Sequence, residues 1–270
     1  MKFRHTMVAA SLAALAFASA PASATVTVQI KDIVGQWQFA VPVPPTTTIT
    51  NGTPTSIVSW GTPAFPNTTQ SQYQFTNGAD LSITLLPPVD SGPELFGTFA
   101  HLNFPIFCAA AGCLSSVELK VTADIVVAGQ DEGTKTFVFD FSHDETPNGG
   151  PPGGPFTGTC PFPVPGSPNG VPGPNINGCA DHVTVTNSNS SQTFTVGGVN
   201  YTFSFLGFSQ NGGVTITNDF LTTENQTNIA GLYAQVVTTE VPTAPEPGSL
   251  ALVGLAALGV AGALRRRSQK

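Results

Sequence analysis

Residues 115–128 read SSVELKVTADIVVA, and residues 134–142 read TKTFVFDFS. In the first stretch Val117, Leu119 and Val121 fall on one face, with Glu118, Lys120 and Thr122 on the other. In the second, Phe137, Phe139 and Phe141 lie together, opposite Thr136, Val138 and Asp140. A period of two is the mark of a strand with one buried face. The same alternation recurs in both directions from this pair. TVTVQI (25–30), SIVSW (56–60), DLSITLL (80–86), HVTVTN (182–187), QTFTV (192–196), VNYTFSFLGF (199–208), GVTIT (213–217) and LYAQVVTT (232–239) all read as strands between turn residues. Gly197-Gly198 separates two of them and suits the primed turn of a tight hairpin. Short strands at this spacing predict an all-β fold, an antiparallel, jelly-roll-like β-sandwich forming a single domain over residues 25–240.

Composition agrees. Charged residues are 9% of the chain, against roughly 25% in ordinary globular proteins. Thr, Ser, Asn and Gln take over the surface, and 28 Gly and 24 Pro favour turns over helices. Between Thr25 and Glu240 only Lys31, Lys120 and Lys135 are basic, against 15 acids. A body this acidic lacks the basic stripe that nucleic acid requires.

The four cysteines form two close pairs. In an exported chain they read as disulfides, Cys108–Cys113 and Cys160–Cys179. Their spacing does not match a zinc pattern. Residues 146–178 are dominated by Pro and Gly, which excludes a helix or a central strand there. That loop is either a surface insertion or a binding loop, closed in its second half by the Cys160–Cys179 bridge.

No catalytic motif is present: no Gly-x-Ser-x-Gly, His-Glu-x-x-His, phosphate loop or EF-hand. Asp124, Asp131, Glu132, Asp140, Asp144 and Glu145 group around one expected hairpin. Solubility accounts for them, with calcium as an alternative that needs only oxygens and a glycosidase pair as a remoter one. Tyr201, Phe203 and Phe205 share a face, either as core or as a carbohydrate-stacking platform. His143 falls in an acidic turn and His182 at a strand start. His101, in GTFAHLNFPIFC, is expected to fix a loop by bonding a backbone carbonyl or Asn103. The alternative is a ligand or metal contact, for which the sequence offers no partner. No catalytic residue, resident metal or other cofactor is expected.

The two ends give an address. Lys2, Arg4 and His5 precede an apolar run, and Ala22-Ser23-Ala24 precedes Thr25. This is the pattern of a signal peptide, residues 1–24, cut by signal peptidase between Ala24 and Thr25. At the other end, Gly248 to Leu264 would make a helix about 25 Å long, short for a hydrocarbon core of roughly 30 Å. Arg265, Arg266 and Arg267 would hold its end at the cytoplasmic face. Pro245-Glu246-Pro247, that apolar segment and the arginines together resemble the PEP-CTERM sorting signal of Gram-negative bacteria, here residues 241–270. The resemblance implies a transient inner-membrane anchor, processing by an exosortase, and delivery to the cell surface or extracellular matrix. Association with extracellular polysaccharide or biofilm, in a non-enzymatic role, is the expected function, and a carbohydrate- or calcium-binding module is the alternative.

The body also resembles the THxN group of PEP-CTERM proteins. The matching stretches are DIVGQWQ (32–38), SIVSWGTPAFPNTTQSQYQF (56–75), GTFAHLNFPI (97–106), CADHVTV (179–185), VNYTFSFLGF (199–208) and DFLTTENQTNIAGLYAQV (219–236). The name-giving box falls on Ala100-His101-Leu102-Asn103, with Ala100 in place of its threonine. His101 and Asn103 are therefore the candidate structural or ligand pair.

Overall fold

A computed structural model describes residues 25–41, 47–66, 68–108, 112–148, 160–162, 178–186 and 191–241, with Gly254 and Ala256 of the tail. The signal segment with Ala24, the Pro-Glu-Pro box, the arginines and most of the 146–178 loop lie outside the described residues. Among the described residues no helix is long and apolar enough to cross a membrane.

In chain order the strands are β1 (Val26–Val41), β2 (Thr48–Thr50), β3 (Thr55–Trp60), β4 (Thr62–Pro63), β5 (Ser71–Asn77), β6 (Leu81–Leu85), β7 (Glu94–Asn103) and β8 (Ile106–Phe107). They continue as β9 (Ser116–Val127), β10 (Gln130–Asp144), β11 (Asp181–Val185), β12 (Ser191–Val196), β13 (Val199–Ser209), β14 (Asp219–Thr222) and β15 (Gln226–Glu240). One sheet has the order β14-β11-β10-β9-β1-β6, the other β12-β13-β15-β7-β5-β3-β2, and β4 pairs with β8 separately. Every ladder is antiparallel.

The founding pair behaves as its alternation requires. β9 and β10 pair from Val127 opposite Gln130 to Ser116 opposite Ser142. Phe137, Phe139 and Phe141 are buried and meet rings of the other sheet. Phe137 reaches Phe203 at 4.7 Å and Phe139 reaches Phe205 at 4.5 Å between ring centres. Tyr201, Phe203 and Phe205 are therefore wall of the core, not a stacking platform. The two sheets share one apolar core that includes Trp37, Phe75, Phe96, Phe99 and Phe208. Gly35 of β1 and Gly97 of β7 both lie against the ring of Phe75, where a Cβ would overlap it. This is the close backbone approach that favours glycine inside a strand.

The Gly197-Gly198 hairpin forms with both residues at positive φ, 58° and 80°, as a primed turn demands. β1 is longer than its first alternating segment. It runs on through two register shifts, next to which Asp32 and Phe39 take positive φ. Bulges of this kind hide a strand from a strict period-two reading. The expected strand at 213–217 is corrected. Only Thr217 bridges, to Phe208, and Val214 is exposed. Asn211 instead accepts the Thr215 N–H, which curls the segment into a loop. Both expected disulfides form, Cys108–Cys113 and Cys160–Cys179.

Candidate buried polar site

Between the sheets the apolar core gives way to a largely buried polar cluster. Its members come from both sheets. His101 and Asn103 are on β7, Tyr73 on β5 and Trp60 on β3. His143 is on β10, Asp181 begins β11 and Thr222 ends β14, with Glu145 and Thr146 just after β10. Glu224 lies in the short crossing from β14 to β15, which carries the chain from one sheet to the other. Asn228 holds that crossing: its Oδ1 accepts the Thr223 N–H, and its Nδ2 donates to the Thr223 carbonyl.

Two expectations are corrected. His101 is not in a loop. It lies on a strand paired on both sides, opposite Asn228 of β15 and Tyr73 of β5. Its Nδ1 meets Thr222 Oγ1 at 2.8 Å, not a carbonyl or Asn103. Thr222 spends its own proton on the Asp181 carbonyl, so His101 Nδ1 carries the hydrogen and Nε2 keeps its lone pair. Asn103 instead donates to the Thr222 carbonyl across the sheets at 3.3 Å. The second correction is His143, which lies on β10 with its side chain fully buried, not in an acidic turn. It continues the inward row of Phe137, Phe139 and Phe141.

The acids around the β9–β10 hairpin do not form one group. Asp131 and Glu145 lie at opposite ends of β10. Asp131 accepts the Gly133 N–H in the β9–β10 turn, and Asp144 faces out to His182. Glu145 alone turns inward.

His101, His143 and Asp181 place one ligand atom each within 4.8 Å of the others. Asp181 Oδ1 accepts two hydrogen bonds from Thr146, from N–H at 2.8 Å and Oγ1–H at 2.9 Å. Its Oδ2 has no partner, and neither has His101 Nε2, Glu145 Oε1 or Asn103 Oδ1. His143 Nδ1 bonds the Tyr73 hydroxyl, while Nε2 lies 3.2 Å from Glu145 Oε2 and 3.9 Å from Asp181 Oδ2. Trp60 stacks on His101 at 5.6 Å and donates its Nε1–H to Glu145 Oε2 at 3.4 Å.

Burial dominates the electrostatics. Desolvation, then the neighbouring His143, holds His101 well below the usual histidine range. His143 is lowered by burial, against the pull of Asp181 and Asp144. Burial, then Glu145, pushes Asp181 well up, opposed by His143 and Thr146. Glu145 rises to about 7 through burial, and Glu224 to about 9 through burial, Asp181 and Glu145. Asn103 and the Asn225 backbone N–H are near enough to Glu224 to oppose that rise. Neither meets hydrogen-bond geometry, and both Glu224 oxygens lack a formed bond. No lysine or arginine forms an ion pair with these acids among the described residues.

Elsewhere, a surface cleft of about 270 Å³ is lined by Phe208, Gln210, Asn211, Thr215, Asp219 and neighbouring residues. It contains one carboxylate, Asp219.

A family model described as the PEP-CTERM protein-sorting motif matches residues 243–267. That motif implies exosortase-dependent export toward the cell surface. No curated protein matches the chain.

Of the cluster, sequence reading singled out His101 and Asn103. It missed Tyr73, Trp60, His143, Glu145, Asp181 and Glu224 as site residues. The signal for two of them was phase. His143 keeps step with the inward phenylalanines, and Asp181 keeps step with Val183 and Val185, both buried.

Proposed function

We propose that this chain is an exported surface or matrix protein whose β-domain, spanning 25–240 as one jelly-roll-like sandwich, is non-enzymatic and associates with extracellular polysaccharide. The sorting motif at 243–267 carries the reading. On this reading signal peptidase cuts before Thr25, the tail pauses in the inner membrane, and an exosortase releases it. The body is of the THxN type, with His101 and Asn103 serving its interior.

The surface supports a polar, sugar-compatible role. Threonine and asparagine ladders cross the outer side of β12 and β13. Thr193 bonds Thr202 at 2.9 Å, and Thr195 bonds Asn200 at 2.6 Å. The non-enzymatic reading is supported by where the acids lie. Asp181 and Glu145 are close together, but Asp181 is fully buried and Glu145 only slightly exposed, whereas the open cleft carries a single carboxylate and a glycosidase requires two.

The test is deletion of residues 245–270 followed by cell fractionation. Loss or redistribution of the surface and matrix fractions is expected. An unchanged distribution would contradict the sorting role.

A further inference from the structure

We propose that His101 Nε2, His143 Nε2 and Asp181 Oδ2 bind one divalent first-row transition ion of the zinc class, clamping the two sheets together. The donor set selects the class. Imidazole nitrogens suit zinc and its neighbours, whereas calcium and magnesium take oxygen. The 3.2 Å from His143 Nε2 to Glu145 Oε2 matches the ~3.3 Å edge of a tetrahedron built on ~2.0 Å bonds, so Glu145 is the nearest carboxylate for a fourth position. The 3.9 Å to Asp181 and the separations of up to 4.8 Å across the three ligands are wider than that edge, so binding requires the side chains to draw inward on the ion.

The surroundings are those of a ligand set. Metal-bound histidines are held through their other nitrogen. Here His101 Nδ1 is fixed by Thr222 and His143 Nδ1 by Tyr73. The Tyr73 hydroxyl can donate to His143 or accept from it, so it serves the tautomer that frees Nε2. The second oxygen of Asp181 is fixed by Thr146 in the same way. His101 Nε2 and Asp181 Oδ2 are left without a hydrogen-bond partner, on residues that are 0% exposed. Polar atoms buried in this state are costly. Three carboxylates share the space with two imidazoles, without a lysine or arginine partner among the described residues. Burial favours the neutral forms of these carboxyls, and a bound divalent cation would favour the charged form of those that ligate it.

A closed site ligated from both sheets is structural rather than catalytic. His101 comes from one sheet, and His143 and Asp181 from the other. The ion therefore joins the sheets where aromatic packing ends.

The experiment uses the full chain, stripped with chelator and titrated with Zn2+, and with Co2+ as a coloured probe. One ion per chain is expected, with Co2+ giving intense visible ligand-field bands and quenching tryptophan emission through Trp60. Millimolar Ca2+ or Mg2+ should not displace it. His101→Ala and Asp181→Asn should each weaken uptake at least ~100-fold, while His182→Ala on the outer face leaves it unchanged. If the variants fail to fold, wild-type titration still decides. No stoichiometric uptake, displacement by Ca2+, or equal uptake by wild type and a folded His101→Ala would overturn the proposal. None of these outcomes depends on where the chain is sorted.

Discussion

Strands β10, β11 and β14 present two sets of the same residue types on opposite faces. Outside, His182 lies between Asp144 at 3.4 Å and Asp219 at 2.8 Å, with the two acids 68% and 62% exposed in their side chains. Inside, His143 faces Asp181 and Glu145, with His101 beyond. Two of the outer residues are chain neighbours of inner ones: Asp144 follows His143, and His182 follows Asp181. The outer set is an ordinary solvated polar group, worth little because water already serves its atoms. In the inner set the same groups lose their water, so each polar atom needs a partner. One step along a strand separates the two regimes.

Exchanging the inner groups should therefore cost most. Asp181→Ala strips the acceptor from two Thr146 donors and removes an ion ligand. A loss of about 3–5 kcal/mol is expected in urea unfolding of the ion-loaded chain. A loss below 1 kcal/mol would equate the two faces. The paired change Cys160→Ser and Cys179→Ser releases the anchor just before Asp181. The chain-entropy relation for its 19-residue separation predicts about 3 kcal/mol, read by thermal melting against the intact bridge.

Gly35→Ala separates stability from ion binding. It drives a methyl into the Phe75 ring and should cost about 1–3 kcal/mol, with zinc stoichiometry unchanged. Altered stoichiometry would mean that the cluster and the apolar core are not independent. Tyr73→Phe removes only the hydroxyl that orients His143. Zinc affinity should fall about 10–100-fold with roughly 1 kcal/mol lost from the ion-free fold. Smallest of all, Asp219→Ala on the outer face should change stability by no more than about 1 kcal/mol and leave zinc affinity alone.

The fold was largely legible because its strands alternate cleanly. The β9–β10 pair, the Gly197-Gly198 hairpin and both disulfides follow from local pattern. The misreadings have local causes. The bulges of β1 interrupt its alternation, and side-chain hydrogen bonds from Asn211 turn 213–217 away from the sheet. The meeting of His101 with the rest of the site was hidden for a different reason. His101 sits far from His143 and Asp181 in sequence, and only the pairing of two sheets unites them. Two other members were written in phase: His143 and Asp181 occupy inward positions of strands whose other inward residues are Phe or Val. Placing His143 in an acidic turn ignored that register, and Asp181 was not considered. Glu224 could not be found this way, because it lies in a crossing between sheets where no period applies.

The central claim is that the inner face, and not the outer, is an ion site. X-ray absorption at the zinc edge of the stoichiometrically loaded full chain tests it most directly. The account predicts two imidazole nitrogens at about 2.0–2.1 Å together with carboxylate oxygen, and a spectrum unchanged by His182→Ala. A shell of oxygens alone, or the loss of an imidazole on His182→Ala, would contradict it.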